Sequence, residues 1–374
     1  MLKSAIPFVT LLITFAFQLP GQARRVTDEM VREVQKSVIL IDTHNDVTSR
    51  TVDGFDIGSR GGGGHTDVAR LREGGVGAVF FAAYVAPEYA KDHTSAIRAL
   101  RMIDTVRTDI AAKYPDVFSF ATTAAGIEAA HRQGKIAVLI GIEGGHAIED
   151  DPRLLRDFYA LGVRYMTLTH TNTNGWADSS GDTKDATVKR HDGLTALGKQ
   201  IIAEMNRLGM MVDISHVSDK TFFDALDTSK APIIASHSSC RSLSNVPRNM
   251  TDAMIVALAK KGGVVHINFN CEFLSQKSAD AGKGKNGKAL IGASLADVMQ
   301  HIDHVVKLAG VDAVGIGSDF DGVTCTPAGL EDVSKFPNLT RALLEKGYSG
   351  EDVRKIYGGN TLRVMRAVEH ARAE

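Results

Sequence analysis

Eight short apolar runs recur along this chain, each followed by a polar or glycine-rich loop and then a helical pattern. They read VILIDTH at 38–44, GAVFFAAYV at 77–85, IAVLIGIE at 136–143 and VRYMTLTH at 163–170. The other four are GMMVDISH at 209–216, APIIASH at 231–237, GGVVHINFN at 262–270 and AVGIGSD at 313–319. The runs are nearly continuous rather than alternating, as expected of parallel strands covered on both faces. Between them lie amphipathic stretches at 92–114, 192–209 and 294–310. The second starts at Asp192 and stops at Gly209; the third starts at Ser294 and stops at Gly310, which are cap signals at each end. Eight such alternations predict an α/β chain folded as a single (β/α)8 barrel over 24–374. An open doubly wound sheet would need a phosphate-binding fingerprint. Neither glycine-rich segment, GSRGGGGH at 58–65 or SQKSADAGKGKNGKAL at 275–290, has the Gly-Lys-Ser/Thr ending. Both read as mobile loops over the barrel mouth.

Composition narrows the partners. With 43 Lys+Arg against 44 Asp+Glu there is no positive excess for nucleic acid, and 3 Cys in 374 residues do not make a disulfide scaffold. Residues 1–23 read as a cleaved signal peptide. Lys3 precedes an apolar run from Ile6 to Leu19, and Gly21-Gln22-Ala23 suits cleavage. The run is shorter than the ~20 apolar residues of a comfortable span. No Cys stands near the cut for lipid attachment, and the ending VMRAVEHARAE has no hydrophobic tail. The expectation is an exported chain, periplasmic or secreted, without a stable membrane anchor after cleavage.

Barrel enzymes carry their chemistry at the C-terminal ends of the strands. Those ends hold His44 and Asp46, then Glu143, His170, His216, His237 and Asp319, so six of eight strands finish on a metal-ligating or acid–base residue type. Only 13 of 374 residues are His, which makes chance a poor account. His44 and Asp46, two apart on one strand, share a face. His216 and His237 come from neighbouring strands, and Glu143 lies between the two pairs, where a carboxylate bridges. Imidazole and carboxylate without thiolate predict zinc, two ions per chain sharing a hydroxide. His65, His93, His131, His191, His266, His301, His304 and His370 are read as packing residues, and His146 as either packing or supporting the ligands. Spacing alone does not separate Asp319 from Asp321. Nor does it separate Arg248 from Arg241 as a candidate cation for substrate. Trp176 and Asp178 line the pocket or pack its loop. Cys240, Cys271 and Cys325 all follow strands on the catalytic face; one disulfide is compatible with them, with no basis for choosing the pair.

The motifs DTHND, DVARLREGGVGAVFF, GIEGGH, RYMTLTHTNTNGWADS, DISHVS, SHSSCRSLSNVPRN and GIGSDFDGV resemble, in order, those of the membrane (renal-type) dipeptidases. These are zinc peptidases among the amidohydrolase-like barrels, and the likeness spans about 26–368. It implies a dipeptide substrate. It also implies one zinc on His44 and Asp46, another on His216 and His237, and Glu143 bridging. His170 would support the oxyanion and contact substrate, Arg248 would hold the substrate carboxylate, and Asp319 would handle the proton. The chain lacks the GPI tail and the cysteine pattern of the mammalian members, which aligns it with an exported bacterial branch. Related amidohydrolases acting on N-acyl-amino acids, lactones or β-lactams are the alternative reading. A barrel that had lost catalysis would lack a ligand or Asp319, and none is missing. A homodimer is the default expectation for assembly.

Overall fold

The computed structural model describes residues 25–284 and 287–372, so the expected signal peptide lies outside the described residues. All eight anticipated strands form: β1 (Leu40–Asn45), β2 (Val76–Tyr84), β4 (Ile136–Glu143), β5 (Val163–Thr167), β6 (Met211–Asp213), β7 (Ile234–Ser238), β8 (Val264–Ile267) and β9 (Val314–Ile316). They pair in parallel in that order. The sheet closes where Asp46 N donates to Phe320 O (2.8 Å) and Asp319 N donates to His44 O (3.0 Å). The (β/α)8 barrel expected from the sequence is thus the observed architecture. A short strand β3 (Phe118–Phe120) was not anticipated. It pairs with Ile136–Val138 at the start of β4, leaving Ile140–Glu143 to β5. Three residues carry too little pattern to read as a strand.

Alternation along the strands divides two cores. On β4, Val138, Ile140 and Ile142 face the surrounding helices, whereas Ala137 and Leu139 face the barrel axis with Phe80 and Tyr165. Continuing that alternation brings Gly141 and then Glu143 to the interior. Gly141 has a steric reason: a Cβ there would stand 1.9 Å from the Tyr165 ring. The far end of the barrel is closed by the helix Asn360–His370 through Leu362, Val364, Met365 and Val368.

Several boundaries differ from the sequence expectation. The helix expected from Asp192 begins at Ala196, capped by the Thr195 side chain, while Asp192 takes a left-handed backbone (φ 57°) that ends the preceding loop. Its Gly209 stop is as expected. The 294–310 helix forms with Ser294 and Asp297 in a reciprocal capping box. The 92–114 stretch starts at Ser95 and passes into a π-helical turn at Val106–Ala112. The 275–290 segment is not all loop: Gln276–Ala281 is helical, and Lys283 bridges to Ala289. Cys271 and Cys325, 54 residues apart, form a disulfide joining the loops after β8 and β9 (Cα–Cα 5.6 Å), and Cys240 is free and buried.

Two of the histidines read as packing residues tie the barrel together in their neutral forms. His301 accepts from Cys240 N at Nδ1 (2.9 Å) and donates from Nε2 to Leu274 O (3.1 Å). His266 donates from Nδ1 to Ala235 O (2.8 Å) and accepts from Thr361 at Nε2 (2.9 Å). Burial pushes both imidazoles down to about 4. Their folded values lie below the unfolded value of about 6.5. Their contribution is therefore complete above that pH and is lost as pH falls towards 4, on the order of 3 kcal/mol each at the lower end. Urea unfolding of His301→Gln between pH 7 and 4.5 should give a shallower pH slope than wild type. Equal slopes would contradict this assignment.

Candidate metal centre

The residues singled out at the strand ends converge in one buried cluster. Glu143 Oε1 lies 3.0 Å from His216 Nε2 and 3.2 Å from His237 Nε2, and its Oε2 lies 3.5 Å from His44 Nε2. His44 Nε2 lies 3.3 Å from Asp46 Oδ2, and His170 Nε2 lies 3.9 Å from Glu143 Oε1. Three overlapping sets each bring their ligand atoms within 4.8 Å of one another: His44, Glu143 and His237; Glu143, His170 and His216; and His44, Asp46 and Asp319.

The strands end earlier than the apolar runs suggested, so several of these side chains stand on the first residues of loops. His216 follows β6 with φ 68° and Asp319 follows β9 with φ 63°. Left-handed backbone at non-glycine residues is costly and clusters at functional sites.

Hydrogen bonds behind the ligands fix which nitrogen faces the cluster. Tyr165 donates its hydroxyl proton to Thr43 O (3.0 Å), so at 2.8 Å it accepts from His44 Nδ1–H. The lone pair of His44 is then on Nε2, which, with Asp46 Oδ2, is buried and has no hydrogen-bond partner. Ser236 donates to Asp213 Oδ2 (2.6 Å), so it accepts from His237 Nδ1–H (2.7 Å), and Nε2 is left to face Glu143 and His216. Asp213 is anchored in turn by Thr167 and by Ser236 N. Second-layer contacts of this kind are what orient metal-binding imidazoles.

The result is a set of imidazole nitrogens and carboxylate oxygens pointed at one another. His216 and His237 bring their Nε2 atoms to 3.0 Å. Burial holds both well below the ordinary imidazole range, reinforced by Arg248. Burial also opposes a charge on His44, but Tyr165, Glu143 and Asp46 outweigh it and raise that imidazole well above its usual value. The cluster calls for positive charge at its centre. Nitrogen and oxygen donors without a thiolate fit a divalent ion of the zinc type.

Around the cluster opens a cavity of about 300 Å³ lined by Tyr84, His170, Asn270, Phe273 and Asp319 among others. Arg248 is half-buried beside it, donating to Ser238 Oγ (2.7 Å) and His237 O (2.6 Å), with Nε buried and unpartnered. Arg241, the rival cation, is occupied by a two-pronged pair with Asp219 (2.7 and 2.6 Å). Asp319 accepts from Asn268 Nδ2 (2.7 Å). Asp321 lines the same cavity but stands outside the three ligand sets, accepting from His65 N (2.9 Å) and Arg50 (3.3 Å). Trp176 is buried in the core and Asp178 accepts from His191 N and Gly193 N, so both pack their loop. His146 donates from Nε2 to Val85 O (3.0 Å) and stands outside the three ligand sets.

Sequence reading did not single out Tyr165, Ser236, Asp213 or Asn268. The available signal was a polar residue inside each buried strand or strand end. Tyr165→Phe would leave both Thr43 O and His44 Nδ1 without a partner, and should weaken metal retention by roughly 10- to 100-fold. Competition with a chelator of known affinity measures this; retention equal to wild type would contradict the orienting role.

Comparisons with known proteins agree with this geometry. The family model described as membrane dipeptidase (peptidase family M19) matches residues 28–374. An uncharacterised dipeptidase of Schizosaccharomyces pombe is 37% identical over 367 residues, covering 93% of this chain and 85% of that protein. Dipeptidase verJ of Clonostachys rogersoniana is 42% identical over 314 residues, covering 82% and 76%. A metallopeptidase from Rhodobacter sphaeroides, solved with a phosphinate mimic of the dipeptide L-Ala-D-Ala, superposes with a TM-score of 0.77 at 28% identity, covering 88% of this chain and 99% of that one. The chain belongs to the membrane dipeptidase family, peptidase family M19, and is a metal-dependent dipeptidase.

Proposed function

We propose that the chain hydrolyses dipeptides with two zinc ions, one held by His44 and Asp46, the other by His216 and His237, with Glu143 bridging them. The observation that carries this reading is the division of the Glu143 carboxylate, Oε1 towards His216 and His237 and Oε2 towards His44. When bound, such a pair supplies Lewis acidity for the scissile carbonyl and brings the pKa of water down to about 7.

The chain's own residues do the rest. Asp319 sits against the ligand pair His44 and Asp46, where it takes the proton from the attacking water and passes it to the departing amine. Asn268 holds one of its oxygens and so sets the direction of the other. Thr171 lies 3.2 Å from His170 Nδ1. With the threonine proton on Nδ1, His170 presents Nε2–H to the cavity as a donor for the developing oxyanion, and burial keeps the ring below its ordinary pKa. Arg248, pinned at both Nη atoms, keeps Nε free for a carboxylate. It recognises the C-terminal carboxylate of a dipeptide, which favours that substrate over lactones and other compounds lacking a carboxylate at the same distance.

Export is part of the proposal. The 1–23 segment has the layout of a signal peptide, and the Cys271–Cys325 disulfide suits an oxidising compartment. No helix among the described residues is long and apolar enough to cross a membrane.

Two variants test the roles. Asp319→Asn should lower kcat by about 10²- to 10⁴-fold on any substrate while metal content stays at the wild-type level. Arg248→Ala should lower kcat/KM on a free dipeptide by about 100-fold and leave the corresponding dipeptide amide nearly unchanged. Equal losses on acid and amide would remove Arg248 from substrate recognition.

A further inference from the structure

A second cavity, of about 360 Å³, lies at the end of the barrel away from the metal centre. Met211, which opens β6, lines it, whereas His216 stands beyond the other end of the same strand. Its apolar wall is Met211, Met365 and Val368. Two guanidinium groups also line it, Arg164 and Arg372, and neither has a carboxylate partner among the described residues.

Arg164 is rigidly presented. Nε donates to Thr122 O (2.7 Å), Nη1 donates to Tyr159 O (3.0 Å) and Val163 O (2.8 Å), and the group lies 4.1 Å over the Tyr159 ring. Nη2 makes no hydrogen bond among the described residues. Burial lowers this guanidinium from its ordinary value and the neighbouring Arg372 adds to that, while Tyr159 and Glu369 oppose it. Thr122 and Thr123, which line the same cavity, lead into the helix Ala124–Arg132, so its positive end adds to the attraction for an anion. One carboxylate is also present. Glu369 accepts from Ala124 N with Oε1 (2.8 Å), and Oε2 takes no hydrogen bond among the described residues.

We infer that this cavity binds a free α-amino acid with an apolar side chain. The carboxylate pairs with Arg164 Nη2 and Arg372, the ammonium with Glu369, and the side chain packs on Met211, Met365 and Val368. A simple carboxylate would leave the second Glu369 oxygen unused, and a peptide of several residues exceeds the volume. Amino acids of this class are what dipeptide hydrolysis releases, so the product of the reaction meets a second site remote from the one that made it. The inference rests on this cavity alone and is independent of the metal assignment.

Crystals soaked with L-selenomethionine test it directly. An anomalous selenium peak is expected in this cavity against Met365 and Val368. The exposed Arg372 makes no hydrogen bond or ion pair among the described residues, so Arg372→Glu should fold and turn over substrate normally while losing the peak. In solution, calorimetric affinity for L-leucine at this site should fall at least tenfold in Arg372→Glu, and L-leucinamide should bind wild type at least tenfold more weakly than L-leucine. Absence of the peak from this cavity, or a peak and affinities indifferent to Arg372→Glu, would overturn the proposal.

Discussion

The structure depends on one electrostatic constraint: a carboxylate, Glu143, buried among the Nε2 atoms of four histidines. Glu143 lies well below the ordinary carboxylate range despite burial, because His44, His170, His216 and His237 surround it. The buried His44 Nε2 and Asp46 Oδ2, neither with a hydrogen-bond partner, are unstable company without a cation. The barrel accepts this cost at its C-terminal end because chemistry requires it. Nearly every other buried polar group in the same strands has a partner.

The arrangement is held from behind. Gly141 leaves room for the Tyr165 ring, the Tyr165 hydroxyl fixes the His44 tautomer, and Ser236 with Asp213 does the same for His237. The ligand geometry is thus set by residues of β4, β5, β6 and β7 that never touch the ion. The disulfide between Cys271 and Cys325 ties the loops that carry Asn270 and Phe273 to the loop that follows Asp319, which steadies one wall of the catalytic cavity.

Much of this was legible in the sequence, for a physical reason. Strands buried on both faces are apolar throughout, so a His, Asp or Glu at the end of such a run stands out. His44, Asp46, Glu143, His216 and His237 were readable for that reason. What periodicity does not carry is the conformation of the residues just after each strand. Asp319 and Asp321 were equivalent by alternation. They separate because β9 ends at Ile316, both adopt left-handed backbone, and Arg50 with His65 holds Asp321 outside the ligand sets. Thr195 rather than Asp192 caps its helix for a similar reason, since the turn at Asp192 and Gly193 is decided by contacts with Asp178 and Asp224. The choice of Cys271 and Cys325 over Cys240 depends on which loops meet, and no spacing rule contains that.

The central claim is that Glu143 bridges two zinc ions. Anomalous diffraction at the zinc edge on protein purified without chelator tests it most directly. Two peaks are expected, one between Glu143, His44 and Asp46, the other between Glu143, His216 and His237. A single peak, or no peak with Glu143 paired to a protonated imidazole, would contradict the account.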